Sequence, residues 1–151
     1  MEYAEYIAMH AGNNRDEEIG VFAPDLKAMW RVLFLLRDHG VLEQGGGAND
    51  TWPRVLQFYS RPTRGLPPPE IRFDRPGVFL TPFSMVKGLE FDTVLFTRLE
   101  KFNKPLDDPE TKRLLYVLIS RSRNRLEFHY AGKNRPGIIG MLPPDLVRFE
   151  E

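Results

Sequence analysis

Cysteine is missing from the 151 residues, which excludes a disulfide framework, a thiolate zinc site and a cysteine nucleophile. Long apolar runs are missing too. None approaches the roughly 20 residues that cross a bilayer. Charge of one sign is not in excess: 21 Lys+Arg face 21 Asp+Glu, so no general affinity for polyanions is expected. His10, His39 and His129 lie far apart without ligand spacing, and no metal site is expected. No G-x-x-x-x-G-K-[ST] occurs, and Gly45-Gly46-Gly47 lacks the Lys-Ser/Thr that a phosphate loop needs. What remains is ordinary globular composition, 42% hydrophobic and 28% charged, enough for one domain with a real core.

The balanced charge is unevenly placed. Residues 1–50 carry four bases and nine acids, residues 51–111 nine and eight, and residues 112–151 eight and four. The basic end is where a phosphate ligand is expected.

Residues 2–11 read as a short helix, and 19–23 as a compact apolar strand closed by Pro24. Asp25 stands at an N-cap position before Leu26, Met29, Trp30, Leu33, Phe34 and Leu36 at helical spacing, and Gly40 is the expected stop. Trp30 is expected in the core. Residues 43–53 read as a loop, 55–59 as a strand, and 61–77, with five prolines, as neither helix nor internal strand. Trp52 and Phe58 are expected to pack. Strands follow at 78–81, 92–97 and 126–130, with a helix opened by Pro109 and running to Ile119. Strands alternating with helices predict an α/β layer fold, a mainly parallel sheet with helices on both faces. Ligands of such sheets gather at the carboxyl ends of the strands.

Two segments offer chemistry. In MVKGLEFD (85–92), Gly88 permits a tight turn or close approach to a ligand, flanked by Lys87 and Glu90. An ordinary connection with solvated charges accounts for it equally. Arg113 and the SRSRNR run at 120–125 lie on and just past the 111–119 helix, where forked arginine contacts could read phosphates. Cations that offset the helix macrodipole explain the same placement.

Taken together, these segments resemble a known family. VFLTPFSMVKGLEFDTVLFT (78–97) resembles motif V of superfamily 1 helicases of the UvrD/Rep type. ETKRLLYVLISRSRNRLEFHY (110–130) resembles their motif VI, in matching order and separation. IGVFAPDLKAMWRVLFLLRDHGV is similar to the strand-helix unit earlier in the same domain, so the resemblance spans roughly residues 2–130.

It implies the second of two RecA-like motor domains, a RecA-like P-loop NTPase fold without the P-loop. The chain is then expected to be one domain, 1–151, and a carboxyl-terminal piece of a larger cytoplasmic protein. The implied cofactor is ATP with Mg, held between this domain and an N-terminal RecA-like domain, with single-stranded DNA as the other partner and no membrane. By position, the resemblance makes Arg121 the catalytic arginine finger, with Gly88, Glu90 and Lys87 also at ATP, and Ser84 and Thr81 near DNA. The chain alone is expected to bind no ATP tightly and to hydrolyse none.

The sequence also departs from the family pattern. Ser120-Arg121-Ser122 replaces the commoner Thr-Arg-Ala, and the segment 82–87 is closer to the HelD-like Pro-x-x-x-Ala-Lys than to His-Ser-Ala-Lys. The insertion that many relatives carry before motif V is reduced to 61–77, and the motif IV segment precedes Met1 or is absent. The alternatives are a stand-alone or degenerate helicase-like binding module and an unrelated α/β nucleotide-binding enzyme. The latter would need a phosphate loop.

Overall fold

The computed structural model describes residues 2–43, 55–58, 71, 73 and 75–150. Among these residues, apolar side chains at helical spacing give three α-helices, α1 (Tyr3–Asn13), α2 (Leu26–Asp38) and α3 (Pro109–Ile119). Asp25 caps α2 by accepting a hydrogen bond from Ala28 N at 2.8 Å, an interaction worth about 1 kcal/mol. Gly40, at φ +83°, ends it. There Gly40 N donates to Arg37 O and Val41 N to Leu36 O, both at 3.0 Å, in the pattern of a Schellman turn. Asp108 caps α3 in the same way, accepting from Glu110 N at 3.0 Å.

The described strands form one sheet in the order β2-β3-β4-β1-β5-β6. They are β1 (Glu18–Ala23), β2 (Leu42–Glu43), β3 (Val55–Phe58), β4 (Gly77–Pro82), β5 (Phe91–Phe96) and β6 (Ser122–Phe128). Every pairing is parallel. The central strands β1, β4 and β5 are buried along nearly their whole length, as expected where both faces are covered.

The two faces carry two cores. On one, Ile7 of α1 and Met29, Val32, Leu33 and Leu36 of α2 pack on Ile19, Val21, Leu80 and Leu95. On the other, Leu115 and Leu118 of α3 meet Phe22, Phe79, Phe91, Val94 and Phe96. Phe22 meets its neighbours edge to face: it lies 5.8 Å from Phe91 and 5.6 Å from Phe96, at 72° and 82°, a geometry that aromatic quadrupoles favour. Among the described residues, no helix is long and apolar enough to cross a membrane.

Three expectations need correction. The sheet gains β2 at Leu42–Glu43, where the sequence reads as the start of a loop. The last strand begins at Ser122 and not at 126, because β5 offers Thr93 and Phe91 as partners to Arg125 and Ser122. Pairing with an existing strand outweighs the polar composition of 122–125. Trp30 is not core: with Leu26 and Phe34 it lies on the exposed side of α2, 41% exposed. Residues 44–54, 59–70 and the side chain of Phe58 lie outside the described residues. The expectations for Trp52, Phe58, the glycine triplet and most of the proline-rich stretch fall there.

One polar network ties α1 to β6. Glu127 accepts hydrogen bonds from Tyr6 Oη at 2.9 Å and from Arg125 Nε, and contacts His129 Nε2 at 2.9 Å. Although burial raises its pKa, the bonds from His129, Tyr6 and Arg125 prevail and hold the carboxyl at about 2, below the ordinary 4.5. As pH falls, the unfolded chain therefore takes up this proton before the folded chain does. The group's contribution, on the order of 2 kcal/mol, is complete above about pH 4.5 and is lost as pH falls toward 2. Thermal melts from pH 6 to 3 should show that loss, and Glu127→Gln should lower Tm at pH 6 while flattening the acid limb.

Candidate functional site

Strands β4 and β5 both run parallel to β1, which lies between them. The eight residues 83–90 that join them must therefore travel from the carboxyl edge of the sheet back to its amino edge. Phe83 and Val86, both buried in the α3-side core, pin this crossing to the sheet. It begins with a short 3-10 turn, Phe83–Met85, on which Ser84 is exposed. Thr81 precedes it at the end of β4. Its side chain is buried, with the hydroxyl 3.3 Å from Pro82 O, and offers no surface to a ligand in this conformation.

At the amino edge the crossing ends in a turn closed by Leu89 N donating to Val86 O at 3.0 Å. Gly88 is third in that turn at φ +81°, the value a type II turn requires at this position. Lys87, Gly88 and Glu90 are exposed. Neither Lys87 nor Glu90 forms an ion pair with a described residue.

Helix α3 delivers Arg121 to the same place. Its last carbonyls need partners, and the sequence supplies them at once. Ser120 Oγ donates to Val117 O at 2.9 Å, Arg121 Nε to Val117 O at 2.9 Å, and Ser122 Oγ to Ile119 O at 3.4 Å. The guanidinium then reaches across: Nη1 lies 3.4 Å from Leu89 O, and Nη2 donates to Ser120 Oγ at 3.0 Å. Phe91 N donates to Arg121 O at 2.9 Å, locking the start of β5 to the residue before β6.

Arg121, Gly88 and Glu90 thus meet along one partly exposed edge. Every partner of Arg121 is neutral, and three of its five N–H donors are used. Among the described residues no carboxylate offsets its charge.

Its neighbours differ. Arg123 Nη2 pairs with Glu18 Oε2 at 2.6 Å and Nε with Asp92 Oδ1 at 3.1 Å, clamping β1, β5 and β6. Those carboxylates raise the Arg123 pKa, with Glu18 the larger contributor. Arg125 is bound to Glu127 and to Tyr6 Oη. The expected arginine cluster at a helix end is therefore corrected. Arg123 and Arg125 belong to β6 and are consumed in structure, and Arg121 alone of the run keeps an unbalanced charge. Arg113 is exposed on α3. Gly88, Glu90 and Arg121 precede their strands, so they meet at the amino ends of the sheet, whereas Ser84 and Thr81 lie at the carboxyl end. The carbonyls of Val117 and Leu89 that orient Arg121 have no signature in sequence, since any residue supplies a carbonyl.

Among the described residues, no group of three or more His, Asp or Glu side chains is arranged to hold a metal ion.

With this geometry in hand, comparison with solved structures bears on the fold. The chain is similar to the C-terminal domain of a possible DNA helicase from Lactobacillus plantarum WCFS1, with a TM-score of 0.58 and 19% identity. That match covers 89% of this chain and 70% of the other. The fold is that of a RecA-like helicase C-terminal domain. The chain is also similar to the helicase domain of Pyrococcus furiosus Hef, with a TM-score of 0.50 and 12% identity, covering 92% of this chain and 27% of that one. No family model and no curated protein matches the chain.

The turn can be tested directly. A Cβ at Gly88 meets no atom within 4 Å, so a substitution there carries backbone strain alone. Gly88→Ala should destabilise the chain by about 1–2 kcal/mol in urea melts, and Gly88→Asn, which tolerates left-handed backbone, by less.

Proposed function

We propose that the chain is the second motor domain of an ATP-dependent DNA helicase or translocase of superfamily 1, similar to the UvrD/Rep type and its HelD-like branch. The observation that carries this reading is the meeting of an uncompensated Arg121 with the Gly88–Glu90 turn on one exposed edge. Residues 32 positions apart are joined there through Leu89 O, and neither a packing requirement nor an ion pair accounts for the arginine's charge.

The edge fits part of ATP. Arg121, with N–H donors to spare, would approach the terminal phosphate and offset charge developing on its oxygens. The Glu90 carboxylate would accept hydrogen bonds from ribose hydroxyls, and Gly88 lets the backbone come close without a side chain. Lys87 adds a mobile positive charge beside them. The phosphate loop and the magnesium ligands belong to a partner N-terminal RecA-like domain. ATP, when bound between the two, supplies the free energy that drives closure and release. Closure of the two domains brings Arg121 to the phosphates, and reopening shifts the grip on a single strand held at the carboxyl edge near Ser84. The 83–90 crossing touches both edges, so displacement at one is felt at the other. Such a motor works in the cytoplasm.

Two measurements test this. The purified chain, with or without single-stranded DNA, should show no ATPase above background. In the two-domain parent, Arg121→Ala should cut turnover on the order of 10³-fold or more while the fold survives. If Arg121 serves only as a helix-end cation, the same variant instead loses about 0.3–1 kcal/mol of stability with turnover intact.

A further inference from the structure

The outer side of α2 carries an apolar ridge and two charges at the wrong ends of a helix. Leu26, Trp30 and Phe34 follow one another at four-residue spacing and are 43%, 41% and 53% exposed. Asp38 continues the same row at the carboxyl end of the helix, and Lys27 stands beside its start. We propose that this face is a homodimer interface, in which α2 packs antiparallel on α2 of a second copy of the chain.

Charge is the first argument. A helix favours acids in its first turn and bases in its last, where they offset the macrodipole. Lys27 lies in the first turn of α2 and Asp38 in the last, each against that preference. Both are exposed, and neither forms an ion pair with a described residue. From 27 to 38 the helix rises about 16 Å, so the two cannot meet within one chain. A two-fold axis crossing α2 near Val32 gives each its counterpart. Lys27 of either copy then comes opposite Asp38 of the other, because an antiparallel pair exchanges its ends.

The apolar ridge supplies the second argument. The same axis that matches the charges lays Trp30 of one copy against Phe34 of the other. Ridges of four-residue spacing are those that mesh in the commonest packing of helices. The six side chains of a pair would withdraw roughly 500 Å² from water, about half of what a specific interface needs. Arg31, exposed on one flank, also approaches its own copy there. The dimer is therefore weak, with a Kd on the order of 100 µM. Helix α3, which leads to Arg121, packs on the opposite face of the sheet. Pairing through α2 leaves the Arg121 edge open, and the proposal stands or falls apart from the motor reading.

The test is sedimentation of the full 151-residue chain at loadings from about 5 µM to about 1 mM, where a monomer–dimer equilibrium is expected. Lys27→Asp and Asp38→Lys each set like charges together across the axis, and each should weaken the dimer about tenfold. The double variant exchanges the two signs and should restore it. Leu26→Ser/Phe34→Ser should weaken it by about tenfold or more. Every altered side chain is exposed, and both charge reversals suit the macrodipole, so their Tm should hold or rise. A chain that stays monomeric at every loading overturns the proposal, even if the face binds another protein or an anionic vesicle. So does a dimer that the serine variant leaves unchanged, or a double variant that associates no better than the single ones.

Discussion

The parallel pairing of β4, β1 and β5 governs the rest of the structure. With all three strands running the same way, the chain that leaves β4 at one edge has to reappear at the other before β5 begins. Elsewhere in such sheets a helix makes this return. Here eight residues suffice, held by Phe83 and Val86 in the aromatic core. Economy has a consequence: a single short segment presents Ser84 at one edge and Gly88 and Glu90 at the other.

The second organising fact is which charges are balanced. Arg123 and Arg125 look no different from Arg121 in sequence, yet Glu18, Asp92 and Glu127 neutralise them within the sheet. Arg121 is oriented by carbonyls and a hydroxyl that leave its charge unbalanced, and Lys104 and Lys133 stand alike at the far edge. Arg121 thus keeps its charge beside the turn, at the amino ends of the strands, and Lys104 and Lys133 keep theirs at the carboxyl ends. An isolated surface cation adds little stability, so their common feature is availability to an anion.

Much of the architecture was readable beforehand because its signals are local. Asp25 and Pro109 announce helix starts, Gly40 announces a stop, and apolar residues at 19–23, 78–81 and 92–97 suit strands buried on both faces. Less legible were features that depend on a neighbour. β2 and the early start of β6 exist because an adjacent strand offers hydrogen bonds, and polar composition cannot reveal that. Trp30 misleads for a related reason. Helical spacing marks both sides of α2 as apolar, and only the placement of the sheet decides which side is covered.

For the site, the sequence by itself determined the residue types: a glycine where a turn needs positive φ, a glutamate beside it, and an arginine just past a helix. The tertiary structure decided which of them meet and at which edge. It did so through register, because pairing Phe91 with Ser122 brings the turn before one strand against the residue before the other. It also decided which arginines are spent, since ion pairs with Glu18 and Glu127 join residues more than a hundred positions apart or on alternate places of one strand.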